Sequence, residues 1–307
     1  MTRRPDGPLT RRSFLRGTTL VLAGAAGAAA GGAPLRDLLA LDEEIRPAVR
    51  VGLLTDLHHG EKEPAGTRHY RETRTKLREA IEHFKDVKPD VVVELGDLID
   101  AAPSVATEIA WLEAIDGDLR ELPCDVHYVL GNHCVATLTK EEFLEKSGAR
   151  DAYYSFDSGP LHCVVLDACF RKDLVAYGRN NFEWSDANVP PEELRWLEKD
   201  LAATDRKTIV FAHQRLDDVG TAHAVRNAAI VRRVLEQSGK VLAVFQGHHH
   251  VNDHRDLNGI HYVTLAAMIE GSGAEANAYS VLEVYDDHSL RLEGFRQQKS
   301  YWNQERP

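Results

Sequence analysis

An α/β fold follows from three observations. Short apolar runs at 51–54, 91–93, 129–130, 209–212 and 241–245 read as strands buried on both faces. Stretches of helical periodicity lie between several of them. Each run ends in a polar cluster, and side chains that follow buried strands of one sheet gather at a common rim.

The elements follow in order. After a charged linker at 42–46, residues 49–55 form the first strand, which delivers Asp56-Leu57-His58. A loop through Pro64 and Gly66 leads into a helix over 70–87, whose Leu77, Ile81 and Phe84 share a buried face. Residues 90–95 form the second strand and deliver Gly96-Asp97, with Asp100 one turn beyond. A helix over about 105–122 stops before Pro123, and a third strand at 126–130 delivers Gly131-Asn132-His133. Residues 153–157 and 161–166 alternate as a hairpin across Ser158-Gly159-Pro160.

Residues 170–189 lack a period and read as a long loop, a length that commonly serves function. Its Tyr177, Phe182 and Trp184 either cover the core, the commoner fate, or stack on a base. Pro190 and Pro191 open a helix to about 203. The strand at 208–212 presents His213, a helix spans 222–237, and the strand at 241–246 presents Gly247-His248-His249-His250, with His249 directed away. Runs at 260–265, 278–284 and 290–294 read as antiparallel strands closing a second sheet.

Length and charge narrow the function. A chain of 307 residues, 43% of them hydrophobic, buries a sizeable core in one large domain. The net charge of −11 gives no general attraction to a nucleic-acid backbone, so small phosphorylated molecules are the better substrates. Cys124, Cys134, Cys163 and Cys169 have no metal-finger spacing, and no disulfide is expected.

The chain divides into 1–40, an export signal and linker, and 41–307, the folded domain. Thr10-Arg11-Arg12-Ser13-Phe14-Leu15-Arg16 precedes an Ala/Gly/Leu run at 17–33 and resembles a twin-arginine export signal. Glycine dilutes that run below what a stable membrane span needs, about 20 strongly apolar residues. The expected location is periplasmic or extracellular, reached through the twin-arginine machinery. The sequence leaves the oligomeric state open.

The rim clusters carry the chemistry. Alone, an Asp-x-His or Gly-Asp after a strand is usually a turn, and a single strand-end histidine is usually structural. Together, Asp56, His58, Asp97, Asn132, His213, His248 and His250 form a set of oxygen and imidazole donors. Such a set suits Mn, Fe, Zn, Co or Ni rather than Ca or a thiolate site. It exceeds the needs of one ion. Two ions ~3.5–4 Å apart share a bridging carboxylate, for which Asp97 is the natural choice.

The series Asp-x-His, Gly-Asp-x-x-Asp, Gly-Asn-His, His and Gly-His-x-His resembles the calcineurin-like metallophosphoesterase signature, from about residue 49 to about residue 295. Arg68-His69-Tyr70-Arg71, Tyr262-Val263-Thr264-Leu265 and Ile269-Glu270-Gly271 resemble the manganese-dependent ADP-ribose/CDP-alcohol diphosphatase branch. The resemblance implies a four-layer α-β-β-α sandwich of two mixed sheets with outer helices. It implies two divalent transition-metal ions, manganese foremost. One would be held by Asp56, His58, Asp97 and His250, the other by Asp97, Asn132, His213 and His248.

It also implies that His133, oriented by Asp100, protonates the leaving group while metal-activated hydroxide attacks phosphorus. Arg68 and Arg71 are candidates for gripping phosphate. The expected activity is hydrolysis of phosphodiester or diphosphate bonds. The alternatives are a phosphomonoesterase and, less favoured, a non-catalytic metal-binding scaffold. Two departures stand out. Cys134 replaces the acidic residue usual after Gly-Asn-His, and His58 stands where the diphosphatase branch commonly has glutamine.

Overall fold

The computed structural model describes residues 46–181 and 183–302. The expected export segment at 1–40 and the aromatic side chain of Phe182 lie outside the described residues. Among the described residues, no helix is long and apolar enough to cross a membrane.

The first sheet holds β1 (Val49–Leu54), β2 (Val91–Glu94), β3 (Asp125–Tyr128), β10 (Ala278–Val284) and β11 (Leu290–Arg296) in the order β11-β10-β1-β2-β3. The second holds β4 (Tyr154–Ser158), β5 (Leu161–Val165), β6 (Lys207–Phe211), β7 (Val241–Gln246), β8 (Asp253–Leu257) and β9 (Ile260–Thr264) in the order β4-β5-β6-β7-β9-β8. Both are mixed. β1, β2 and β3 run parallel with β10 antiparallel to β1, while β5, β6, β7 and β9 run parallel between antiparallel β4 and β8.

Strand alternation builds the layers. Val51, Leu53 and Val93 of the first sheet meet Cys163, Ile209, Phe211 and Phe245 of the second in a core between the sheets. The opposite face of the first sheet, including Leu54, Val92 and Val281, packs on α1 (Thr73–Val87), α2 (Val105–Leu119) and α3 (Lys140–Ser147). The outer face of the second, including Val164, Val210 and Val244, packs on α4 (Pro191–Ala203) and α5 (Ala228–Ser238). This is the four-layer α-β-β-α sandwich.

Several elements differ from the sequence expectation. β10 and β11 join the first sheet through β1, and β9 runs parallel to β7, so the three do not close the second sheet as antiparallel strands. Alternation shows which face of a strand is buried, not which sheet receives it. The helix expected at 222–237 begins only at Ala228, because the Asn227 side chain bonds both the nitrogen and the oxygen of Val189 and holds the preceding segment as loop. The helix expected at 70–87 starts with a tight turn at Tyr70–Glu72 before α1.

α3 and β8 were not expected. The Thr139 hydroxyl and the Glu142 carboxylate cap α3 reciprocally, a signature present in the sequence. β8 is a polar edge strand without alternation. All four cysteines are free thiols.

Candidate metal centre

The strand ends bring the clusters together at one rim. Asp56 and His58 follow β1, and their backbone nitrogens donate to the carbonyls of Gly96 and Asp97 at 3.0 and 2.7 Å. The loops after β1 and β2 are thereby fixed side by side. Glycine precedes three of the clusters for a steric reason. An added Cβ at Gly131 would strike the Asp97 nitrogen and carboxylate, and one at Gly247 would strike Thr55 Oγ1 and Asp56 Oδ2.

The backbones of the candidate donors are unusual. Asp56, His58, Asp97, His248 and His250 have φ of 52°, 46°, 58°, 65° and 63°. Left-handed torsions in residues other than glycine cost on the order of 1–3 kcal/mol each and persist only where the surroundings impose them.

The side-chain atoms divide into those the protein uses and those it leaves open. Asp56 Oδ2 accepts from Thr55 Oγ1 at 2.8 Å and from the His248 nitrogen at 3.0 Å, whereas Oδ1 is buried and unpartnered. Asp97 Oδ1 accepts from the His133 nitrogen at 2.7 Å, and Oδ2 lies 3.1 Å from His213 Nε2 and 3.5 Å from His58 Nε2. His213 Nδ1 donates to the Leu95 carbonyl at 2.9 Å, which leaves Nε2 open. Asn132 Oδ1 and His248 Nε2 are also buried without partners. His250 Nε2 lies 3.3 Å from Asp56 Oδ1 and 3.2 Å from His58 Nε2.

Two ions fit this donor set. Asp56, His58 and His250 converge as one group and Asp97, His213 and His248 as another, while a third group, His58, Asp97 and His133, overlaps both. Asp97 Oδ2 faces both, since His58 belongs to the first group and His213 to the second. Buried oxygen and imidazole atoms that face one another without making hydrogen bonds suit cations placed between them.

The electrostatics agree. Burial opposes charge at Asp97, yet His213, His133 and His58 hold its carboxyl well below the usual range. Burial likewise opposes protonation of His213 and His250, but Asp97 outweighs it at the first and Asp56 at the second, raising each to about 9. Burial lowers His58 to about 4. The two buried carboxylates therefore hold protons on His213 and His250, and cations entering the site would displace them.

His133 stands beside the donors. Its Nδ1 donates to Asp100 Oδ1 at 2.6 Å, and its ring meets that of His58 edge-on at 4.6 Å between centroids. Asp97 and Asp100 raise its pKa against burial. Lys62 lies 3.3 Å from Asp100 Oδ2.

The open side of the centre is a cleft of about 300 Å³, completed by Arg68, His133, Trp184 and His223. The two arginines of the expected substrate set separate. Arg68 lines the cleft, while Arg71 faces outward and pairs with Glu63 at 2.6 Å and Glu61 at 3.5 Å. His249 turns away, where its Nδ1 accepts from Arg215 Nη1 at 2.9 Å. Cys134 is fully buried, and burial with Asp97 nearby raises its thiol well above the ordinary range.

Sequence reasoning missed His223 and gave Glu270 no role beyond its place in the Ile269-Glu270-Gly271 resemblance. His223 lies in an aperiodic loop with no pattern to single it out. Glu270 Oε1 accepts from His250 Nδ1 at 2.6 Å. It follows the apolar run at 265–269, the same polar-after-apolar signal that marked the candidate metal donors.

A family model described as calcineurin-like phosphoesterase matches residues 49–252. A manganese-dependent ADP-ribose/CDP-alcohol diphosphatase from Danio rerio is 24% identical, with 80% of this chain and 94% of that protein covered. Its namesake from Arabidopsis thaliana is 22% identical, with 79% and 93% covered. Among solved structures, a dimetal phosphatase from Danio rerio superposes with a TM-score of 0.74 at 20% identity, over 83% of this chain and 98% of that one.

Proposed function

From the premise that this chain belongs to the calcineurin-like phosphoesterase family, and is thus a metal-dependent phosphoester hydrolase, we propose that it cleaves diphosphate or phosphodiester bonds of small molecules with two bound ions. The observation that carries the bond preference is Arg68. Its guanidinium lines the cleft beside the two donor groups, and its charge acts on His133, His250 and Glu270. A centre that takes one phosphoryl group at the ions has a fixed cation for a second anionic group, as a diphosphate requires. The names of the Danio rerio and Arabidopsis thaliana relatives support manganese and a nucleotidic diphosphate.

Asp56, His58, Asp97 and His250 would hold one ion, and Asp97, Asn132, His213 and His248 the other. Bound there, the ions supply Lewis-acid charge and acidify water. The chain does the rest. With Nδ1 committed to Asp100, His133 serves the cleft through Nε2. The Nε2 proton passes to the leaving oxygen as the P–O bond breaks, and the carboxylate of Asp100 stabilises the imidazolium before transfer. Arg68 orients the phosphate that is not attacked.

The runner-up activity is phosphomonoester hydrolysis. Manganese-loaded protein assayed on ADP-ribose, bis-p-nitrophenyl phosphate and p-nitrophenyl phosphate separates the two. The proposal expects the highest kcat/KM on ADP-ribose or the diester, and preference for the monoester would reject it. For residues 1–40 we propose twin-arginine export, supported by the paired arginines and the apolar run after them. The test fuses 1–40 to a reporter that is active only outside the cytoplasm, with Arg11 and Arg12 replaced by lysine as the control.

A further inference from the structure

The candidate ligand His250 receives its support from the segment Ile269-Glu270-Gly271, to which the resemblance gave no role in the metal centre. Its Nδ1–H donates to Glu270 Oε1 at 2.6 Å, while Nε2 faces Asp56 and His58. Among the described residues, the outer ring nitrogens of the other candidate ligands differ: His213 Nδ1 donates to the Leu95 carbonyl, and His58 Nδ1 is buried without a hydrogen bond.

Glu270 is itself held firmly. The Met268 and Ile269 nitrogens donate to the carbonyls of Thr55 and Asp56 at 3.1 and 3.0 Å, stitching the segment to the first ligand block. On its other side, the His69 nitrogen donates to Ile269 and the Gly271 nitrogen to Thr67, at 3.1 and 2.7 Å, so Arg68 and Glu270 pair as neighbouring strands.

Beneath lies Lys76 of α1, almost fully buried. Its ammonium donates to the carbonyls of Met268, Glu270 and Gly271 at 2.9, 2.9 and 2.8 Å, and to Ala276 at 3.4 Å. The three nearer carbonyls match the three N–H donors of one buried ammonium, and this pairing fixes the path of the loop. The Glu72 carboxylate closes the far end, accepting from Ser272 Oγ at 2.9 Å and the Gly273 nitrogen at 2.6 Å.

We propose that Glu270, fixed by the Lys76 clamp, is a positioning residue that selectively tightens the ion held by Asp56, His58 and His250. A carboxylate on the outer nitrogen of a ligand histidine sets its tautomer and ring angle and makes the inner nitrogen more basic. Among the described residues, Asp97, His213 and His248 make no direct hydrogen bond to this segment, so their ion should not depend on Glu270. The inference rests on the two-ion reading of the centre.

The test is a manganese titration of metal-free full-length protein by calorimetry, with electron paramagnetic resonance to count bound ions, for wild type, Glu270→Ala and Glu270→Gln. Glutamine keeps an acceptor but removes the charge, so it controls for packing. Both variants are expected to lose ~10–100-fold in affinity at one ion, with glutamine nearer the lower end, and to leave the other ion within ~3-fold. Wild-type affinity at both ions in Glu270→Gln and Glu270→Ala would overturn the proposal. So would equal weakening of both ions, which is the mark of general loosening. A wild-type protein that takes up fewer than two ions would instead overturn the two-ion reading, and this inference with it.

Discussion

Asp97 has one carboxylate oxygen bonded to the His133 nitrogen and the other turned toward both donor groups. Replacing it by alanine is expected to abolish activity and the loading of both ions together, read by metal analysis of the purified protein. His133→Ala should separate these properties. It should keep two ions and lose ~10²–10⁴-fold in kcat if His133 is the proton donor, and unchanged turnover would remove it from the reaction. Protonation sets a third expectation. His213 and His250 are raised to about 9 by the buried carboxylates, and imidazole nitrogens must shed their protons to bind a metal ion. Manganese affinity should therefore climb as pH rises toward about 9, with proton release on binding, seen as a buffer-dependent heat of titration. The donors were legible in the sequence because each follows an apolar run. Of the cleft walls, Arg68 and Trp184 were among the candidates, whereas His223 was not, since it sits in a loop without periodicity and meets the site only through tertiary packing.

Among the elements, α1 serves both core and site. Leu77, Ile81 and Phe84 bury one face against the first sheet, and Lys76 on the same helix clamps the segment that carries Glu270. Phe84→Ala should cost about 3–5 kcal/mol of unfolding free energy by denaturant titration, since a buried aromatic leaves a cavity that rigid strands do not fill. The turn after β7 is limited from the opposite direction. Gly247→Ala would press a methyl group on Asp56 and Thr55, so it should weaken metal binding more than it lowers stability. The helices and central strands were readable from periodicity. β8 was not, because Asp253–Leu257 is a polar edge whose Asp253 is engaged by Arg215 at 2.5 Å. The placement of β10 depended on pairing with β1 from far along the chain, which no local pattern reports.

At the scale of the whole molecule, two sheets face each other with the donors at one rim, so neither sheet alone contains a complete centre. β1, β2 and β3 lead to Asp56, His58, Asp97 and Asn132, while β6 and β7 lead to His213, His248 and His250. The layered architecture was implied by the motif series, which repeats the strand-then-donor order in both halves of the chain. Left-handed torsions at Asp56, His58, Asp97, His248 and His250 have a thermodynamic corollary. An unfolded polypeptide would let these residues relax, and the scattered side chains would lose their grip on manganese. Cation occupancy is thus linked to the native population: chelation should lower the melting temperature, and each increment of free manganese should raise it again until saturation.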